Sequence, residues 1–80
     1  MVTIRLFGLL RESGGERQLT VEADTVREAL KRANEMGVDK QLLRDALIFI
    51  NNKPLTGARR YARRLSDGDE LALLSPAAGG

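Results

Sequence analysis

Positions 1–8 alternate in character. Val2, Ile4 and Leu6 fall on one side of the chain, and Thr3, Arg5 and Phe7 on the other. Side chains of a strand switch face at every residue, so this pattern predicts a strand with one buried face. The stretch 9–15 closes on Gly14-Gly15 and reads as a wide turn with a short helical turn over 9–12. Alternation resumes over 17–23, with Leu19, Val21 and Ala23 in phase. This second strand is expected to pair antiparallel with the first.

The period then changes. Thr25-Val26-Arg27-Glu28 fits a capping box, in which the Thr25 hydroxyl accepts from the Glu28 amide and the Glu28 carboxylate reaches back. Val26, Ala29, Leu30 and Ala33 follow at helical spacing, with Arg27, Glu28, Lys31 and Arg32 outward. Gly37 is placed to stop the helix. A short helical turn is expected over 40–45. Positions 46–50 are apolar throughout, as in a central strand covered on both faces. Residues 51–54 read as a turn, 56–64 as irregular and basic, 66–69 as a second turn, and 70–74 as the last strand. A hairpin, a crossing helix and further strands leave few compact right-handed arrangements. The economical one is α+β: a mixed sheet of four to five strands packed on one main helix, with the last strand parallel to the first. That is the β-grasp, or ubiquitin-like, architecture, here a domain over 1–75 with a flexible tail over 76–80.

Parity also locates a candidate docking surface. If Ile4, Leu6, Leu71 and Leu73 point inward, Phe7 and Leu74 are large apolar side chains on the outward face, on strands expected to be neighbours. Exposed apolar clusters of this kind mark partner sites. Leu55, after the turn, would extend the patch. The alternative is that Phe7 packs under the Leu9-Leu10 loop as ordinary core.

Composition narrows the chemistry. The 80 residues are 42% hydrophobic and 30% charged, with no Cys and no His. Disulfides, thiol chemistry, the commonest general base and the commonest metal ligand are thereby removed. Asp67, Asp69 and Glu70 could suggest a cation site, but three acids on a short turn are more often solvated polar groups; no metal is assigned, and no cofactor is expected to be bound by this chain. Thirteen basic against eleven acidic residues leave a net charge of +2, too even to announce nucleic acid. The run from Arg59 to Arg64 places four arginines around Tyr61 and could bind phosphates and stack a base. A solvated loop balanced by the acids beside it is the plainer reading. No apolar run reaches transmembrane length and no signal-peptide core is present, so the expected location is cytoplasmic.

The chain closes on Gly79-Gly80, behind Pro76, Ala77 and Ala78. Pro76 cannot continue a central ladder, and glycine can thread a channel that side chains would block. If Gly80 is the true terminus, the expected reactive group is its α-carboxyl; an ordinary disordered or truncated end is the plainer alternative.

Four segments carry a family resemblance: Ile4-Arg5-Leu6-Phe7-Gly8-Leu9-Leu10-Arg11-Glu12, Thr25-Val26-Arg27-Glu28-Ala29-Leu30, Ile50-Asn51-Asn52-Lys53-Pro54-Leu55, and the run from Leu65 through Ser66-Asp67-Gly68-Asp69-Glu70 to Gly80. In order and spacing they resemble the MoaD family, the small subunit of molybdopterin synthase, within the MoaD/ThiS ubiquitin-like sulfur carriers. The family has bulkier aromatics where Leu73 and Leu74 stand and often a proline at Ser75, and its stretch matching 56–64 is shorter and less basic. The resemblance implies a carrier cycle for molybdenum cofactor biosynthesis. An E1-like (MoeB-like) enzyme using ATP and Mg²⁺ adenylates Gly80, and a sulfurtransferase supplies sulfur to form a thiocarboxylate. The tail then enters a MoaE-like large subunit, in an expected heterotetramer, and gives sulfur to a pterin precursor. Gly79 would thread the channel, while Phe7, Leu55, Leu74, Pro76, Ala77 and Ala78 would contact partners. On this reading the chain is not catalytic alone. Conjugation of Gly80 to protein lysines and a thiamin-type (ThiS-like) carrier are the alternatives, with a basic nucleic-acid module over Arg59–Arg64 behind them.

Overall fold

The alternating segments become strands in the structure, a computed structural model that describes residues 1–76. The strands are β1 Val2–Phe7, β2 Gln18–Val21, β3 Leu47–Ile50, β4 Lys53–Leu55 and β5 Glu70–Leu74. They form one sheet in the order β2-β1-β5-β3-β4. β1 and β5 run parallel at its centre, and the other pairings are antiparallel. The helices are α1 Leu9–Gly14, α2 Val26–Glu35 and α3 Lys40–Asp45, with a 3-10 turn at Arg60–Ala62.

The inner face of the sheet holds the core. Val2, Ile4 and Leu6 of β1 and Leu71 and Leu73 of β5 are almost wholly buried, with Val26, Ala29 and Ala33 of α2 above them. Two alanines on the contact stripe let the helix lie close to the strands. Each buried leucine or isoleucine stabilises the fold by about 1.5–3 kcal/mol.

α2 begins as its capping box dictates, with one shift. Thr25 Oγ1 accepts from the Glu28 amide at 3.2 Å. Glu28 Oε1 accepts from the Asp24 amide at 2.7 Å, one residue before the cap. At the other end Gly37 takes φ 108°, where a side chain would be strained. The Val38 amide then bonds the Ala33 carbonyl at 3.1 Å and closes the helix.

Three expectations change. Residues 53–55 form an edge strand instead of a turn. Pro54 is tolerated there because an edge strand has one side without a ladder partner. The hairpin turn contracts to Asn51-Asn52, both at positive φ (49° and 70°), as a tight two-residue connection requires. The apolar strand β3 is covered on one face only. Ile48 and Ile50 are buried, Phe49 is half-buried, and Leu47 is 48% exposed.

Candidate docking face and tail root

The uncovered face of the sheet is apolar where its central strands end. Cross-strand register places Phe7 of β1 opposite Leu74 of β5, and Leu74 opposite Leu47 of β3. One row further in, Arg5, Ala72, Phe49 and Pro54 stand side by side across four strands. Neighbouring strands lie about 4.8 Å apart, so the two rows form a continuous patch. Phe7 is 42% exposed and Leu74 is 38% exposed. Phe7 therefore stands outside the core, and it is Leu10 of the following helix that is buried. The rim is polar. The Arg5 guanidinium lies 3.6 Å from the Glu70 carboxylate and 6.0 Å from the centre of the Phe7 ring.

Leu55 does not extend this patch. It pairs with Ile48 and packs half-buried against the core, so its neighbour Pro54 occupies the outward position. Parity counted from the true start of β4 gives this, whereas a turn over 51–54 hides it. Leu47 and Phe49 are the residues that the sequence reading missed as surface. Their apolar character is equally compatible with a strand buried on both sides.

β5 delivers the chain to the edge of this patch. Ser75 is buried and Pro76 is exposed. Pro76 borders a hollow of about 590 Å³ along the β3–β4 edge, with Leu47, Phe49 and Pro54 on its wall. The tail residues Ala77, Ala78, Gly79 and Gly80 lie outside the described residues.

At the opposite end of β5, the acidic turn is structural. Asp69 accepts from the Ser66 amide at 2.8 Å and from Asn51 Nδ2 at 3.1 Å. These hydrogen bonds, the Ser66 amide foremost, hold its carboxyl below the ordinary carboxylate range, with the Arg63 charge adding to them. Asn51 Oδ1 in turn accepts from the Glu70 amide at 3.0 Å, which fixes where β5 starts against β3. Asp67 accepts from the Met1 ammonium, and Glu70 faces Arg5. No metal-holding group of acids exists among the described residues. Likewise, among them no helix is long and apolar enough to cross a membrane.

The basic stretch is partly tied down. Tyr61 and Leu65 pack against the core, the Arg63 carbonyl accepts from the Val26 amide at 3.0 Å, and Arg60 stacks 4.6 Å over the Tyr61 ring. One face of the only tyrosine is therefore already occupied.

A mixed five-stranded sheet with parallel central strands and one long helix across its inner face defines a β-grasp, ubiquitin-like protein. The ThiS family model matches residues 4–80, and the chain belongs to that family, the ThiS/MoaD-like group of ubiquitin-like sulfur carriers. Among solved structures, small archaeal modifier protein 1 from Methanosarcina acetivorans shares the fold with a TM-score of 0.78 at 21% identity, covering 99% of this chain and 95% of that one. A chain of the BexX/CysO complex from Amycolatopsis orientalis gives 0.77 at 25% identity, with 100% of both chains covered. A chain of the complex of subunits 1 and 2 of the molybdopterin-converting factor from Helicobacter pylori gives 0.72 at 26%, with 99% and 97% covered. Among curated proteins, no sequence matches the chain.

Proposed function

We propose that this chain is the sulfur-donating small subunit of a molybdopterin synthase, working in the cytoplasm. The observation that carries the reading is the outward row Phe7–Leu74–Leu47, set where β5 gives way to the tail that closes on Gly79-Gly80. A carboxylate is a poor electrophile. An E1-like enzyme using ATP and Mg²⁺ would join AMP to Gly80 and release pyrophosphate. Sulfide-level sulfur from a donor would then attack the acyl carbon and displace AMP, leaving the thiocarboxylate, a soft nucleophile on a protein handle. The chain has no Cys and no His, and on this reading its partners supply the general bases and the phosphate clamps. Gly79 threads the partner's channel, Pro76, Ala77 and Ala78 line the entry, and the open face docks on a large subunit in a heterotetramer. Support for a protein partner comes from the Helicobacter pylori and Amycolatopsis orientalis similarities, both to chains of two-protein complexes.

A second reading is conjugation of Gly80 to protein lysines, which the likeness to an archaeal modifier protein keeps in view. A thiamin-type carrier would use the same first steps. The test is reconstitution: the thiocarboxylated chain, a MoaE-like large subunit and the pterin precursor are mixed, and molybdopterin is measured. Formation in step with loss of the thiocarboxylate is expected. Retention of the sulfur, with lysine adducts in extract, would instead assign the chain to protein modification.

A further inference from the structure

The helical side of the molecule carries a groove of about 620 Å³ between α2 and α3. Arg27 and Lys31 stand on its α2 wall and Lys40 and Arg44 on its α3 wall, each pair four residues apart and so on one stripe of its helix. Leu30, half-buried, and Leu43, buried, lie between them as an apolar floor. Among the described residues no acidic side chain lines the groove. Among the described residues none of the four cations makes an ion pair, although Arg5 and Arg32 elsewhere do. The whole chain has a net charge of only +2, so this is local segregation of charge in a protein that is otherwise nearly balanced. A concave surface lined by one sign of charge focuses its field and attracts the opposite sign.

From this charge and shape we infer that the α2–α3 groove is a docking site for an acidic, amphipathic protein segment. Two rows of cations about one helical turn apart along each wall suit carboxylates on a ligand lying lengthwise, and the leucine floor suits apolar side chains between them. Nucleic acid fits less well. Stacking needs free aromatic faces, and the one aromatic ring at the groove, Tyr61, has Arg60 over it at 4.6 Å and its hydroxyl bonded to the Arg44 carbonyl at 3.4 Å. α2 turns Val26, Ala29 and Ala33 to the inner side of the sheet. The groove lies on the helical side of the sheet and meets the hollow beside Pro76 at Arg44, which lines both. The inference stands apart from the sulfur-carrier reading and survives if that reading fails.

Anisotropy titration with a labelled peptide alternating glutamate and leucine tests it, with amide chemical shifts of the full chain recorded in parallel. Binding is expected to saturate, to weaken as salt rises, and to move the amides of Arg27, Lys31, Lys40 and Arg44 most. The double variant Lys31→Glu/Lys40→Glu changes exposed side chains only and is expected to bind about tenfold more weakly; Lys31→Gln/Lys40→Gln, which removes charge without reversing it, gives an intermediate loss. Equal affinity in these variants, shifts centred on Phe7 and Leu74, or tighter binding of polyuridylate than of the peptide would each overturn the inference.

Discussion

Leu73 and Leu74 are adjacent in sequence, identical in chemistry and opposite in environment. Leu73 is fully buried beneath the helical layer, while Leu74 is 38% exposed on the open face. The same contrast runs across the sheet: Ile4, Leu6 and Leu71 inside, Phe7 and Leu47 outside. Both faces are apolar at this end of the sheet, but only the inner one has a helix to cover it. The inner face stabilises the fold, whereas the outer face exposes apolar area beside the tail and is available for binding.

The most direct way to break this contrast is to truncate both leucines in turn. Leu73→Ala is expected to cost about 3 kcal/mol, the scale for a buried leucine in a packed core. Leu74→Ala is expected to change stability by no more than about 0.5 kcal/mol. Denaturant unfolding of both variants measures the gap, and equal losses would mean that the two faces are not different in kind. Phe7→Arg sharpens the functional side. It should leave the unfolding midpoint in place and weaken association with the proposed MoaE-like partner by about tenfold or more, since buried aromatic anchors dominate interfaces. Isothermal titration supplies that number.

The register of β5 underlies both faces, and Asp69 pins its start. Asp69→Asn is expected to lose about 1 kcal/mol at neutral pH, the scale of one hydrogen bond. The Asp69 carboxyl titrates below its ordinary value in the folded chain. Its contribution is thus complete above the unfolded carboxylate range, near about pH 4, and disappears as pH falls through the lower folded value. Unfolding curves of the two proteins should converge in acid; a deficit that persists there would point to packing instead of charge. The smallest effect concerns the helix that covers the inner face. Thr25→Ala removes the cap on the Glu28 amide and is expected to cost roughly 0.5–1 kcal/mol, read as a lower melting temperature without loss of partner affinity.

Local chemistry made much of this fold legible. Alternation over β1 is clear because Thr3 and Arg5 mark the other phase, and in β5 Glu70 and the small Ala72 mark it against Leu71 and Leu73, which puts Phe7 and Leu74 outward. Thr25 and Glu28 announce a helix start because few other residue pairs satisfy amides at that spacing. β3 was less readable. Leu47, Ile48, Phe49 and Ile50 give no polar phase, so hydrophobicity alone could not tell a strand buried on both faces from one whose outer face is kept for a partner. Pro54 disguised β4 as a turn and with it the inward direction of Leu55. The α2–α3 groove was less legible still, since Arg27, Lys31, Lys40 and Arg44 converge only once two helices pack together.

Whether Gly80 accepts sulfur, as proposed, is read from the intact mass of the chain. The chain is incubated with an E1-like adenylating enzyme, ATP, Mg²⁺ and a sulfur donor, then fragmented to localise any change. Fragmentation is essential because oxidation of Met1 or Met36 adds nearly the same mass as exchanging oxygen for sulfur. The expected result is one oxygen replaced by sulfur, confined to Gly80 and absent when Gly80 is deleted. An unmodified Gly80, with partners proven active on another carrier, would contradict it.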